Sequence, residues 1–168
     1  PNPDLILYNP NIDSVNEKET FYSYDSSYWE LIVSKNTKEN IVAHSLKKLG
    51  IDQYSYRADY YPTKSEIDWA KNLLSNFQNP LIAICTKSKE SVKNWPHDNW
   101  SELIEKLSRE YSLIHLGDEK EPRYDAIQRF AGKCTMRESA ALLSQASLFL
   151  GPDSLLMHIA NGLNIKSI

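Results

Sequence analysis

The sequence of 168 residues predicts an α/β fold built on a parallel sheet. From about residue 78 onward, short apolar runs typical of strands alternate with segments whose apolar residues recur at helical spacing. One run, residues 81–85, is apolar throughout, as expected for a strand that is covered on both faces. Consecutive parallel strands joined by helices cross over with a right hand, and their ligands bind at the carboxyl ends of the strands.

The first part of the chain is less regular. Residues 1 to about 62 hold eight of the ten tyrosines. Apolar runs at 5–8 and 31–33 predict two short strands. The aromatic-rich segment 21–28 fits either an exposed loop or a surface that stacks on sugars or bases.

Two helices are predicted before the regular part begins. The first covers residues 36–49, with Thr37 as its N-cap and Gly50 as its stop. The second opens with a capping box at Ser65–Asp68 and ends at Asn79–Pro80. Its inward-facing residues are Ile67, Ala70, Leu74 and Phe77.

In the regular part, further strands are predicted at 112–116, 148–150 and 165–168. The helix after the first strand is marked by apolar residues on one face: Trp100, Leu103, Ile104, Leu107 and Tyr111.

Three more helices are predicted between and after these strands. One starts at Pro122, a residue suited to a first helical position, with Tyr124, Ile127 and Phe130 facing inward. A capping box at Thr135–Glu138 opens a helix that runs to Ala146. The last helix opens at Asp153–Ser154 and closes at Asn161–Gly162.

Composition excludes several classes of protein. The net charge of −3 gives no basic face for nucleic acid, so no nucleic-acid partner is expected. No apolar run approaches the ~20 residues of a membrane span, and the first four residues do not resemble a signal peptide. Because the sequence starts without Met, we expect a fragment. Cys85 and Cys134 are expected to be thiols in a reducing cytoplasm.

The loop after the first regular strand is the first candidate site. Residues 86–96 contain three lysines, one Thr and two Ser between a strand end and a helix start. Ammonium groups, hydroxyls and helix-end amides are the groups that bind a diphosphate. A solvated surface loop is the alternative on composition alone.

Two further turns follow strand ends. In one, Asp153 and Ser154 begin a helix and His158 follows one turn later, so Asp153 could bind sugar or ribose hydroxyls or orient His158. The alternative is that Ser154 only caps the helix and His158 packs in the core. In the other, 117–121, carboxylates could accept hydrogen bonds from a sugar, and Gly117 would allow close approach to the backbone.

Other signatures of chemistry are missing from the sequence. It has no Cys/His spacing for a metal and no Asp-x-Asp pair. It also lacks a nucleophile elbow and a P-loop. We therefore expect neither a metal ion nor a cofactor.

Four motifs, in order, resemble one family. Lys93–Pro96 followed by Trp100 resembles the Lys-x-Trp-Pro segment of glycosyltransferase family 9, the heptosyltransferases of lipopolysaccharide assembly. Leu116–Glu119 resembles the family's Leu-Gly-Gly-x-Glu turn, and Ala131–Glu138 its Gly-Lys-Thr-Ser-Leu-x-Glu segment. Gly151–Ala160 is similar to its Asp-Ser-Gly-x-x-His-x-Ala signature. The motifs cover about ninety residues.

The resemblance implies a GT-B architecture of two Rossmann-like lobes, with parallel sheets covered by helices on both faces. Residues 1–78 would be part of the acceptor-side lobe and linker, and 79–168 the nucleotide-sugar donor lobe, so both lobes are incomplete. The implied reaction is inverting and metal-independent. It transfers a sugar from a nucleotide-diphosphate donor, with ADP-heptose expected, to a glycan such as lipopolysaccharide core. The donor-binding residues it implies are Thr86, Ser88, Lys93, Glu119, Asp153, Ser154 and His158.

The resemblance also implies where the protein would work and what the chain lacks. The family's general base lies in a stretch of the first lobe that is absent here, so the fragment alone is expected to be inactive. We expect a cytoplasmic protein and leave open a peripheral association with the inner face of the inner membrane.

The sequence departs from the family pattern at two places. Leu155 stands where the family has Gly, and a side chain there could crowd a phosphate. The loop before Lys93 is about two residues longer than usual. A non-catalytic nucleotide-sugar-binding or scaffold module and an unrelated protein-binding domain are the alternative functions.

Overall fold

A computed structural model describes residues 4, 8–10, 40–54, 58–77 and 80–168. The predictions for 5–7, 21–28 and 31–33 lie outside these residues. The chain forms two compact units: Pro1–Val15 with Ala58–Ile168, called the sheet unit here, and Asn16–Arg57, called the small unit.

The described part of the small unit contains one helix, α1, Ile41–Lys48. Its N-cap is Asn40, whose side chain accepts a hydrogen bond from the amide of Val42 at 2.8 Å. The predicted cap, Thr37, is therefore wrong. Gly50 has a φ of 70°, and this left-handed conformation ends the helix as predicted.

The sheet unit contains five parallel strands in the order β3-β2-β1-β4-β5. They are β1 Leu81–Ile84, β2 Ser112–His115, β3 Gln128–Arg129, β4 Leu148–Leu150 and β5 Lys166–Ser167. The central strand β1 pairs with β2 on one side and β4 on the other. The predicted parallel sheet is confirmed.

Four helices cover this sheet: α2 Lys64–Leu73, α3 His97–Leu107, α4 Met136–Leu143 and α5 Leu155–Gly162. A short 3₁₀ turn, Ser91–Lys93, precedes α3. Among the described residues, every helix is too short or too polar to cross a lipid bilayer.

Helices lie on both faces because alternate residues of β1 are buried on opposite sides. Leu81 and Ala83 join a core with α2, α4 and α5, whereas Ile82 and Ile84 join a second core with α3. Successive side chains of a strand point to opposite faces of the sheet. A strand that is apolar at every position is therefore stable only when both faces are covered. The continuous apolar run in the sequence thus specifies this arrangement.

The predicted helix after Pro122 is wrong. Residues 122–127 form a loop that leads into β3, which the sequence did not predict. In a helix the carbonyl of Pro122 would accept from the amide four residues later. Here it accepts from the Arg129 guanidinium at 2.8 Å, and the carbonyl of Glu119 accepts from the same group at 3.1 Å.

Of the two predicted capping boxes, one is confirmed and one is shifted. Thr135 and Glu138 cap α4 as predicted. For α2 the box is formed by Thr63 and Glu66 rather than by Ser65 and Asp68.

Helix α2 packs on α4 and belongs to the sheet unit. The preceding residue Tyr60 donates its amide to the carbonyl of Gly162 at 3.0 Å. Residues 58–77 thus pack with the sheet that follows them in sequence.

Candidate functional site

A cleft of about 660 Å³ opens at the carboxyl ends of the strands. Its walls come from the segments that follow β1, β2 and β3 and from the start of α5. Its lining residues are Cys85, Lys87, Ser88, Lys89, Gly117, Asp118, Glu119, Glu121, Gly132, Cys134, Met136, Ser139, Ser154, Leu155 and Leu156. This is the edge of a parallel sheet at which the sequence predicts a ligand.

Glu121 is a buried carboxylate in this lining, only 5% exposed. Its Oε2 accepts hydrogen bonds from the amide of Thr86 at 3.0 Å and from the Thr86 hydroxyl at 2.6 Å. The same oxygen lies 3.0 Å from Nε2 of His115, which is fully buried. Glu121 therefore ties the end of β1 to the end of β2.

Burial would raise the pKa of Glu121, but the hydrogen bonds from His115 and Thr86 outweigh it and the pKa is lowered. Glu121 is consequently ionised at neutral pH. Gly117 makes room for it, because a Cβ built on Gly117 would lie 2.5 Å from Glu121 Oε1. The space that this glycine leaves is thus occupied by Glu121 rather than being open to a ligand.

A row of charged side chains lies next to the cleft. Lys93 Nζ is 3.0 Å from Asp153 Oδ2 and 3.5 Å from Glu90. The other oxygen of Asp153 is 3.5 Å from Nε2 of His158. The hydrogen bond that Lys93 donates to Asp153 raises the pKa of Lys93 and lowers the pKa of Asp153. The sequence prediction that these two segments lie side by side is confirmed.

Ser154 is at the N-cap position of α5, but its side chain makes no cap hydrogen bond. Its Oγ is buried and has no hydrogen-bond partner of good geometry among the described residues. It lies near the Cys85 thiol. The side chain of His158 is 65% exposed. The alternative of a simple cap with a core histidine is therefore wrong.

The remaining predicted residues differ in position. Ser88, Glu119 and Ser154 are in the cleft lining. Thr86 is 2% exposed and outside the lining, because its hydroxyl points at Glu121. A clasp between Ser88 and Asn94 shapes the loop: the Ser88 amide donates to Asn94 Oδ1 at 2.6 Å, and Asn94 Nδ2 donates to the Ser88 carbonyl at 3.2 Å.

Sequence reasoning missed part of the cleft. It did not single out Glu121, although this residue is the third carboxylate of a turn that it identified. It also missed the wall formed by Gly132, Cys134 and Met136 before and in α4. Gly132 has a φ of 73°, and a Cβ there would lie 2.6 Å from Cα of Glu119. This contact joins the two turns.

Both cysteines are free. Burial raises the pKa of the Cys85 thiol to about 12, and burial also raises the pKa of Cys134. Both therefore stay protonated and are poor nucleophiles. Within the part of the chain that the structure describes, His, Cys, Asp and Glu side chains form no group of three that could hold a metal ion.

An open parallel sheet with helices on both faces defines the class, a Rossmann-like α/β domain. Its polar cleft opens at the strand ends, where domains of this class bind ligands. The model of glycosyltransferase family 9 (heptosyltransferase) matches residues 20–168. The chain belongs to this family.

Solved structures share this fold. The ADP-heptose lps heptosyltransferase II of E. coli matches 65% of the chain with 22% identity and a TM-score of 0.56. A family 9 glycosyl transferase from Veillonella parvula matches 76% with 17% identity and a TM-score of 0.64. The E. coli heptosyltransferase WaaC with ADP-2-deoxy-2-fluoro heptose matches 78% with 18% identity and a TM-score of 0.54.

The chain covers 38%, 41% and 44% of these three proteins, less than half of each. No curated protein sequence matches it. The predicted fold class, the Rossmann-like parallel sheet of GT-B enzymes, is confirmed for the sheet unit.

Proposed function

We propose that this chain is the donor-binding part of a glycosyltransferase that moves a sugar from a nucleotide-diphosphate donor, ADP-heptose, to a glycan such as lipopolysaccharide core. The reaction in this proposal is inverting and needs no metal ion. The observation that carries it is the cleft at the strand ends, with lysines, hydroxyls and the start of α5 around it. Family 9 membership supports the choice of donor. So do two structures of the E. coli heptosyltransferase WaaC, one with ADP-2-deoxy-2-fluoro heptose and one with ADP.

The diphosphate would lie at the start of α5. The first amides of a helix have no partner within the helix and carry a partial positive charge, which favours an anion. The buried Ser154 hydroxyl can donate to a phosphate oxygen there. Lys93 is exposed beside this turn and would exchange its contact with Asp153 for a phosphate.

The hydroxyls of the donor would bind to the carboxylates of the cleft. Glu121 and Glu119 lie in its lining, and Asp153 and His158 lie beside it. Thr86 takes a different part in this proposal from the one its position in the sequence suggests. Its hydroxyl donates to Glu121 and so holds that carboxylate instead of touching the donor.

The transfer itself needs a group from outside the chain. Lys93 and the α5 amides would stabilise the negative charge that develops on the leaving diphosphate. A carboxylate from the rest of the protein would take the proton of the acceptor hydroxyl. The chain alone would therefore bind donor without transferring sugar. Two unpaired thiols agree with a cytoplasmic location.

Calorimetric titration of the chain with ADP tests the proposal. Lys93→Ala removes one charged contact to phosphate, so its dissociation constant should rise by about tenfold. Lys106→Ala is the matched control, since Lys106 pairs with Glu102 on the exposed face of α3 and does not line the cleft. Equal affinity of the two variants would remove Lys93 from the site. No binding of ADP, UDP or GDP sugars by the wild type would support an unrelated protein-binding function.

A non-catalytic sugar-nucleotide-binding or scaffold module is the second candidate, and Leu155 favours it. This side chain is 46% exposed and lines the cleft at the first residue of α5, where the diphosphate would lie. A transfer assay on the complete protein, with ADP-heptose and a lipopolysaccharide acceptor, separates the two functions. Transfer by the wild type supports the enzyme. If the wild type binds the sugar nucleotide without transferring the sugar, and Leu155→Gly restores transfer, the result supports the non-catalytic module.

A further inference from the structure

We propose that His115 and Arg129 are positioning residues for donor binding, which hold one oxygen of Glu121 so that its other oxygen is presented to a donor hydroxyl. This inference rests on the proposed function. It concerns two residues of β2 and β3 that do not line the cleft themselves.

The two oxygens of Glu121 have different surroundings. Three groups can donate hydrogen bonds to Oε2: the amide of Thr86, the hydroxyl of Thr86 and Nε2 of His115. Among the residues that the structure describes, only the Cys85 thiol approaches Oε1, at 3.4 Å, and a thiol is a weak donor. It also lies on the side of Gly117, as the short distance to a built Cβ shows. Since Cys85 and Gly117 both line the cleft, Oε1 is the oxygen with acceptor capacity left for a ligand.

Arg129 fixes the tautomer of His115. Its Nη1 is 3.4 Å from His115 Nδ1, and a guanidinium can only donate hydrogen bonds. Nδ1 must therefore accept, which leaves the proton on Nε2, where it is donated to Glu121. The guanidinium is itself held by the carbonyls of Pro122 and Glu119. Nε2 is thus the nitrogen of the ring that donates to Glu121.

The other groups around His115 support this assignment. Tyr124 packs its ring edge-on at 5.5 Å, and burial raises the pKa of its hydroxyl, so it adds no negative charge. The Cys85 thiol is protonated as well. Glu121 is therefore the only anion among the groups described here, and Arg129 lies on the opposite side of the ring.

Loss of this arrangement would change what Oε1 can do. If Glu121 becomes protonated while Oε2 still receives three donors, the proton must sit on Oε1. Oε1 then carries a hydrogen and no negative charge, so the charge-assisted hydrogen bond from a hydroxyl of the sugar nucleotide is lost. Donor binding should therefore depend on the ionised state of Glu121, which His115 favours by its hydrogen bond.

The test measures ADP affinity across about pH 4 to 8 for wild type, His115→Gln and His115→Leu. His115→Gln keeps an N–H donor and should follow the wild-type profile. His115→Leu lacks the donor, which raises the pKa of Glu121. Its loss of ADP affinity on acidification should begin at higher pH, with about tenfold weaker binding in the lower half of the range. Pyrophosphate has no ribose or sugar hydroxyl to offer Glu121, so its binding should be the same in all three proteins.

A measurement on the wild type guards against a variant that does not fold. Nitrogen chemical shifts of the His115 ring at neutral pH should show a proton on Nε2 and none on Nδ1. A proton on Nδ1, or equal ADP profiles for wild type and His115→Leu, would overturn the inference while leaving the proposed function intact. No binding of ADP to the wild type would overturn both.

Discussion

Two ion pairs in the sheet unit join residues that are far apart in sequence, and they differ in almost every physical respect. Arg137 and Glu66 are 71 positions apart, and their side chains are only 10% and 20% exposed. Lys93 and Asp153 are 60 positions apart, and their side chains are 34% and 55% exposed. The first pair lies between α2 and α4, and the second lies beside the cleft.

The buried pair uses almost all of its hydrogen-bonding capacity. Arg137 binds both oxygens of Glu66, at 2.6 and 2.7 Å, in the planar arrangement that suits a guanidinium and a carboxylate. It also donates to the carbonyls of Tyr61 and Asp4 at 3.0 and 3.2 Å. Its charge lies 4.8 Å from the ring centre of Tyr8. No ligand could compete for this arginine without unfolding the contact between the helices.

The exposed pair is held by a single short contact. Lys93 donates one hydrogen bond to Asp153 at 3.0 Å, and its Nζ lies farther from Glu90, at 3.5 Å. Water competes for such a contact, and a lysine side chain can turn toward another anion at little cost. The pairs therefore differ in what they can do: Arg137 is fully engaged in the fold, whereas Lys93 can exchange Asp153 for another anion.

The largest expected effect comes from breaking the buried pair. Arg137→Met should lower the free energy of unfolding by about 3 kcal/mol, because it leaves the Glu66 carboxylate without its partner. Urea unfolding followed by circular dichroism measures this change. Lys106→Met is the control, since the Lys106–Glu102 pair is as short, at 2.6 Å, but about two-thirds exposed. Equal losses in both variants would contradict the distinction between buried and exposed pairs.

The pH dependence of stability gives a second, smaller effect. The hydrogen bond from Arg137 lowers the pKa of Glu66 from 4.5 to about 2. A carboxyl whose pKa is lowered in the folded state stabilises it above the unfolded pKa, and this contribution disappears as the pH falls through the folded pKa. Between pH 4.5 and about pH 2 the wild type should therefore lose about 2 kcal/mol that Glu66→Gln does not lose. An equal loss of the free energy of unfolding in wild type and Glu66→Gln over this pH range would contradict this account.

Much of this fold was predictable, because its signals are local. The apolar strands from residue 81 onward and the capping box at Thr135 depend on residues within a few positions of one another, and both are confirmed. The closeness of Lys93 and Asp153 was also predictable, since β1 and β4 are parallel and their carboxyl ends meet. Family motifs placed these residues in order, and topology brought them together.

The errors arose where distant contacts decide the local structure. Pro122 suits a helix start, but Arg129 takes the carbonyls on which a helix would depend. The shifted cap of α2 is instead a local misreading, because Thr63 has a Glu three residues later, as a capping box requires, and Ser65 has not. Within the turn after β2, the sequence cannot tell which carboxylate is buried. Glu119 is exposed, whereas Glu121 turns inward because His115 and Thr86 supply its donors.

The smallest expected effect comes from the exposed pair, and it separates two ways in which Asp153 could act. Asp153→Asn removes the anion that competes with a diphosphate for Lys93, so ADP should bind roughly two- to fivefold more tightly. If Asp153 also accepts a hydrogen bond from the donor's sugar, the affinity for ADP-heptose should increase less than the affinity for ADP, because the side-chain amide of the variant is a weaker acceptor than a carboxylate. Calorimetry with both ligands gives this ratio. In the double variant Lys93→Ala and Asp153→Asn the gain for ADP should disappear, since no cation remains to be released. A gain that persists there would mean that Asp153 repels the diphosphate directly and that its contact with Lys93 does not limit binding.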